Sequence, residues 1–352
     1  MDFPKTAQEK KNMKVRAFAI FAAALVFVSF FNGDYHEVED CAIVTAFGVD
    51  NQNGELLVTA EIINTQSLSE GATATILYGS GKSMVEAMSD LSSSTPKNLL
   101  FSHVSVIVLG DSLTNNQVQG VESFCLNNPH PTLSMKIIAA KSAKELLCVK
   151  PYTLSITAFE IVSLLNATDK SLSFGKYNSF IRAARGNLLC SQIMALPYFV
   201  TANDGGQTVY KLKGLKIIKN YLPAALLDYS QSEVYEILQN DFESGNLTVF
   251  NKSAFIKNCT VTLSAKLEND RLYFNYDIRL SPGKSGITSL DKKGLKDSIT
   301  KLANSIFALQ ESDLLALGSA LQKRYYHIYS RIKNNTAQYI KNADYKVVIT
   351  FE

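Results

Sequence analysis

The sequence predicts a mixed α/β or α+β protein: an N-terminal membrane anchor followed by two or three exported domains in which mixed β-sheets are flanked by helices. Three observations predict it. Strand-length β-branched runs alternate with amphipathic stretches over the first 200 residues, two hairpin signals pair neighbouring strands antiparallel, and one strongly apolar run stands near the N-terminus.

The apolar run is Ala17–Phe31, AFAIFAAALVFVSFF, with Ser29 as its one polar residue. As a helix it would be about 22 Å long, short of a ~30 Å hydrocarbon core, and Val15 and a snorkelling Arg16 can extend it. Residues 1–16 form a basic segment, and Asp34, Glu37, Glu39 and Asp40 follow the run. The positive-inside bias puts that segment in the cytoplasm and the body outside. A cleavable signal would need small residues near Phe30–Asn32, and a lipoprotein would need a cysteine directly after the run. Neither is present, so an uncleaved anchor over 17–31 is the favoured reading.

In the body, Cys41–Val49 and Leu56–Ile63 read as strands joined by DNQNGE, whose Asn53–Gly54 signals a hairpin turn. Lys82–Leu91 reads as a helix with Met84, Val85, Met88 and Leu91 on one face. His103–Leu109 reads as a buried strand, Asp111–Leu126 as a helix, LSMKIIAA from Leu133 as a strand and Ala143–Leu147 as a short helix. Tyr152–Leu189 is mostly helical in pattern and leads into the strand-like MALPYFVTA. The glycine-rich TANDGGQ at 201–207 is the expected boundary between domains at 37–200 and 207–352. Beyond it, VYKLKGLKIIKN and NLTVF are strand-like, and NCTVTLSAKL and RLYFNYDIRL form a second hairpin around Glu268–Asp270. A helix from near Ser289 carries Leu290, Leu295, Ile299, Leu302, Ile306 and Leu309, more helix runs to about Asn342, and YKVVITF closes the chain as a strand.

The formal charge of +3 resides in the first sixteen residues, so the remainder is neutral, with 30 basic and 30 acidic side chains. That balance gives no footprint for nucleic acid. Five cysteines without a CxxC pair and four histidines without HExxH spacing give no metal or dithiol signature, and free, mostly buried thiols are expected. YGSGKS at 78–83 invites a phosphate-loop reading around Lys82. Such a loop needs a further glycine where Ile76 stands, so a turn with a helix start is favoured. No G-x-S-x-G or acidic dyad suggests catalysis. QKRYYHIYSRIKNN at 322–335 interleaves basic and aromatic residues. It reads first as a solvated helix face with inward-packed tyrosines, and second as a partner or membrane contact carried by Arg324, Tyr325 and Arg331.

EVEDCAIVTAFGVD at 37–50, followed by LLVTAEIIN, resembles the opening of the Ger(x)C family, the C subunits of bacterial spore germinant receptors, whose members open with an E-L-x-D-L-A-I-V-x-A-x-G-I-D pattern. GKSMVEAMSDLS, LFSHVSVIVLGDSL, FCLNNPHPTLSMKIIAAKSAKELL and YKLKGLKIIKN resemble later family segments in the same order. The family's lipidated cysteine, usually in G-C-W, falls near Asn32, and here it is absent. The resemblance implies a multi-domain α/β fold, no catalytic activity or cofactor, and a place on the outer face of the inner spore membrane. It also implies polytopic receptor subunits and membrane lipid as partners. The alternative reading is an exported protein that binds a small ligand in a cleft between its domains.

Overall fold

A computed structural model describes residues 18–22, 40–64, 74–127, 135–150, 156–168, 193–249, 252–283, 289–309 and 313–352. The chain divides into two compact units, Met1–Cys41 and Ala42–Glu352. In the first, residues 18–22 are helical, with Phe18, Ile20 and Phe21 exposed. Among the described residues no helix is long and apolar enough to cross a membrane. The rest of the expected anchor, 17 and 23–31, lies outside the described residues.

The larger unit begins with the predicted hairpin, β1 (Cys41–Gln52) and β2 (Glu55–Asn64), turned through left-handed Asn53 (φ 56°) and Gly54 (φ 93°). β3 (Ala74–Gly81), α1 (Met84–Ser93), β4 (Asn98–Leu100), β5 (Val106–Gly110), α2 (Asn115–Asn127), β6 (Lys136–Ala140), α3 (Ala143–Leu147) and α4 (Thr157–Thr168) follow. Then come β7 (Ile193–Asp204), β8 (Gln207–Lys219), β9 (Leu222–Asp228) and α5 (Tyr229–Leu238). The nine strands form one sheet in the order β3-β2-β1-β5-β6-β7-β8-β9, with β4 beside β1. β1, β5, β6 and β7 run parallel in its centre and antiparallel pairs flank them. This is the mixed sheet that the first hairpin predicts.

β5 explains the layering. Its five residues are buried on both faces, as a central parallel strand requires. Ile107 and Leu109 point to a core shared with Met84, Met88 and Leu91 of α1 and Val118, Val121 and Cys125 of α2. Val106 and Val108 point to the opposite core, with Ala143, Leu146 and Leu147 of α3 and Ile161 and Leu165 of α4. On α1 the expected face is corrected at one position: Val85 is 70% exposed and Ala87 takes its place inside.

A second sheet, β10-β11-β12-β13, holds β10 (Gly245–Val249), β11 (Lys252–Glu268), β12 (Arg271–Pro282) and β13 (Asp344–Phe351). β12 alternates strictly: Leu272, Phe274, Tyr276, Ile278 and Leu280 face inward, against Leu295, Ile299, Leu302 and Ile306 of α6 (Ser289–Phe307). Three short helices, α7 (Leu317–Arg324), α8 (Tyr326–Ile332) and α9 (Thr336–Lys341), complete the crossover to β13, which pairs parallel with β12.

Two expectations change. Thr201–Gln207 forms the tip of the β7–β8 hairpin, turned by Gly205 and Gly206 at positive φ, so the chain passes it without leaving the sheet. The change of sheet falls instead between Asp228 and Gly245, across α5. The helix expected from Asp111 starts at Asn115, because Asp111–Thr114 turn out of β5. Of the helical pattern over 152–189, residues 157–168 are helical and most of the rest lies outside the described residues.

Candidate functional site

Gly79–Ser83 closes β3 and opens α1. A Cβ on Gly79 would collide with the Ala87 carbonyl and the Leu91 amide, and one on Gly81 would lie 2.5 Å from the Ala87 amide. These glycines let α1 lie directly on β3. Three amides of the segment point at protein acceptors. Glu86 N donates to the Ser83 hydroxyl at 3.2 Å, Lys82 N to the Glu86 carboxylate at 2.8 Å and Ala87 N to the Ser83 carbonyl at 2.9 Å. The favoured turn with a helix start accounts for the segment. Lys82→Ala should change stability by no more than about 0.5 kcal/mol, as surface substitutions usually do, and leave germination intact. Blocked germination at normal protein levels would return the loop to phosphate binding.

Ligands of open α/β sheets gather at the carboxyl ends of parallel strands. At the end of β1, Asp50 accepts from Ala143 N at 3.0 Å, Lys144 N at 2.8 Å and the Ser142 hydroxyl at 3.2 Å, so it caps α3 from 93 residues away. A Cβ on Gly48 would lie 2.7 Å from that of Ala143, so Gly48 lets α3 approach the strand. After β5, Asp111 pairs with the buried Lys216 of β8 and accepts the Tyr198 hydroxyl of β7 at 2.7 Å. Both carboxylates tie elements together.

Three further carboxylates accept backbone amides. Glu61, on β2, accepts from Thr157 N at 2.6 Å, Ala158 N at 3.0 Å and the Thr45 hydroxyl at 2.8 Å, capping α4. Asp313 accepts from Leu317 N at 2.7 Å and Gly318 N at 3.1 Å at the start of α7. Burial raises its carboxyl and those two amides oppose the rise. Glu233 accepts from Thr248 N at 2.9 Å, and burial pushes its carboxyl up to about 8. None of these caps was anticipated. A charged residue within the apolar run LLVTAEIIN was the available signal for Glu61.

The basic-aromatic run is split by the structure. Arg324 ends α7 and Arg331 lies on α8, both exposed. Tyr325 is half-buried, packs against the core and donates its hydroxyl to the Leu263 carbonyl at 2.6 Å, which gives it a structural role. Tyr326, overlooked in the sequence, is 66% exposed. Two cavities stand out: one of about 550 Å³ lined by Glu145, Cys148, Lys150, Thr201, Gly206 and Thr208, and one of about 330 Å³ near Leu238, Ser319, Lys323 and Arg324. Of the described cysteines, Cys41, Cys125 and Cys259 are buried, and Cys148 is exposed, 3.3 Å from the Tyr78 hydroxyl.

Residues 34–187 match the family model described as the spore germination protein N-terminal domain. The match covers 154 of the 352 residues and agrees with the resemblance to the Ger(x)C family. Ger(x)C proteins are the C subunits of spore germinant receptors, associated with membranes and with other receptor subunits. A solved structure titled the crystal structure of the GerBC protein shares the fold, with a TM-score of 0.54 and 16% identity over 87% of this chain and 96% of that one. No curated protein matches significantly. The Ger(x)C-like opening at 37–50 now has a physical basis at its end: Gly48 admits α3 and Asp50 caps it. The position of the family's lipidated cysteine, near Asn32, lies outside the described residues.

Proposed function

We propose that this protein is a non-enzymatic, membrane-anchored subunit of a spore germinant receptor that supports assembly or signalling in nutrient-triggered germination. It sits at the exported face of the inner spore membrane beside polytopic receptor subunits, held by the apolar run at 17–31 in place of a lipidated cysteine. The observation that carries this reading is the germination-domain match over 34–187 on a chain whose fold extends through a second sheet to Phe351. The scaffold role is supported by how Asp50, Glu61 and Asp111 serve as caps and ties between distant elements. The exposed Phe18, Ile20 and Phe21 agree with an apolar attachment. Arg324 and Arg331 are the proposed contact residues, and Tyr325 supports them from within.

The test is metabolic labelling of sporulating cells with a fatty acid, followed by fractionation and affinity purification of the full chain in mild detergent. The chain should stay unlabelled, sediment with membranes through high-salt washing, and bring polytopic receptor subunits with it. A soluble mature form starting near Asn32, or purification free of other subunits, would overturn the reading.

A further inference from the structure

The region Leu314–Ala343 is chemically unlike the rest of the body. It contains five lysines and arginines and no aspartate or glutamate. The rest of the chain after residue 16 has 25 basic and 30 acidic side chains, so a neutral body conceals a separation of charge.

Four of those charges are exposed on or beside α7 and α8. On α8, Ile328 and Ile332 face the core, while Tyr326, His327, Ser330 and Arg331 are exposed, as is Lys333 just beyond. At 100° per residue these exposed positions fill one continuous arc about 160° wide. Lys323 and Arg324, at the end of α7, are exposed immediately before it. No ion pair joins Lys323, Arg324, Arg331 or Lys333 to a carboxylate among the described residues. Asp270 accepts the Tyr339 hydroxyl at 2.6 Å, and Arg331 acts electrostatically on the same tyrosine.

We infer that this face of α7 and α8 is a second membrane contact, one that selects anionic phospholipid. The inference rests on the membrane-anchored reading above. Guanidinium and ammonium groups match phosphate headgroups, and exposed Tyr326, with Tyr329 at a ring distance of 6.2 Å, suits the interfacial zone where one end of a side chain is apolar and the other wet. Each basic side chain brought to an anionic surface raises partitioning about fivefold, and anchoring the same chain makes the contact local, so a modest face suffices.

The test reconstitutes the full chain into vesicles of phosphatidylcholine alone and of equal parts phosphatidylcholine and phosphatidylglycerol, and follows lysine acetylation by mass spectrometry. Lys323 and Lys333 should react about fivefold more slowly on the anionic vesicles, while Lys346 of β13 is unchanged. High salt, or Arg324→Glu with Arg331→Glu, should abolish the difference. Equal rates on both vesicles with the chain still attached would overturn this proposal alone. Protection that arises only when polytopic subunits are added would overturn it in favour of a protein interface. Failure to sediment with either vesicle would overturn the anchored reading and this contact with it.

Discussion

Ile107→Asp is expected to yield no folded protein. Ile107 is fully buried in β5, the strand that joins β1 to β6, in register with Phe47 and Ile137. Its side chain enters the apolar core that α1 and α2 share. An unpaired charge there costs several kcal/mol, comparable with the roughly 5–15 kcal/mol that stabilises a typical domain. Ile107→Val in the same place removes one methylene and should cost about 1 kcal/mol. Soluble yield and the thermal transition by circular dichroism separate the two cases. A soluble Ile107→Asp protein with a transition near that of the parent would remove β5 from the core.

The difference between these substitutions follows from what the sequence makes plain. Within HVSVIVL, the strand from Val106 is legible because one buried on both faces must be apolar throughout, whereas His103 closes a short 3-10 turn and is exposed; the Asn53–Gly54 turn is legible because few residues accept positive φ. The four-stranded sheet was legible through β12, whose alternation is strict. Other elements gave a weaker signal. α5 is buried from Ser232 to Leu238, so Glu233 and Glu236 mark no outer face and the helical period is hidden. β9 carries Pro223, which argues against a central strand and is tolerated here at a sheet edge beside a bulge. Gly205 and Gly206 serve a hairpin as well as a linker, which is why a hairpin tip read as a domain boundary. Of the proposed contact face, the charges were legible. Which tyrosine points outward was not, because Tyr325 and Tyr326 are told apart only by where Leu263 lies. The Asp50 and Glu61 caps depend on contacts more than 90 residues apart, and no local pattern encodes those.

Glu61→Ala is the substitution in which such a long-range tie should show most clearly. The carboxylate is buried, and it accepts two first-turn amides of α4 together with the Thr45 hydroxyl. Those amides have no partner within the helix, and a negative charge at this end also meets the favourable side of the helix dipole. Alanine would leave two amides buried without an acceptor and a small void between β2 and α4, while the Thr45 hydroxyl would keep only the Glu61 carbonyl at 3.2 Å. Two buried donors left unpaired, at about 1–3 kcal/mol each, put the cost at about 3–5 kcal/mol once the void is included. Glu61→Gln keeps an acceptor oxygen and nearly the same volume but loses the charge, so its cost should be about 1–2 kcal/mol. Glu86→Ala is the control: it removes an exposed carboxylate from the Lys82 amide at a helix start and should cost about 0.5–1 kcal/mol. Urea unfolding midpoints should therefore fall in the order Glu86→Ala, Glu61→Gln, Glu61→Ala, from mildest to most severe. Amide exchange over 157–168 should accelerate in Glu61→Ala ahead of exchange in β5, because the lost cap loosens α4 before it loosens the sheet. A Glu61→Ala midpoint no lower than that of Glu86→Ala would mean that α4 is held by its apolar face alone, through Ala158, Ile161 and Leu165.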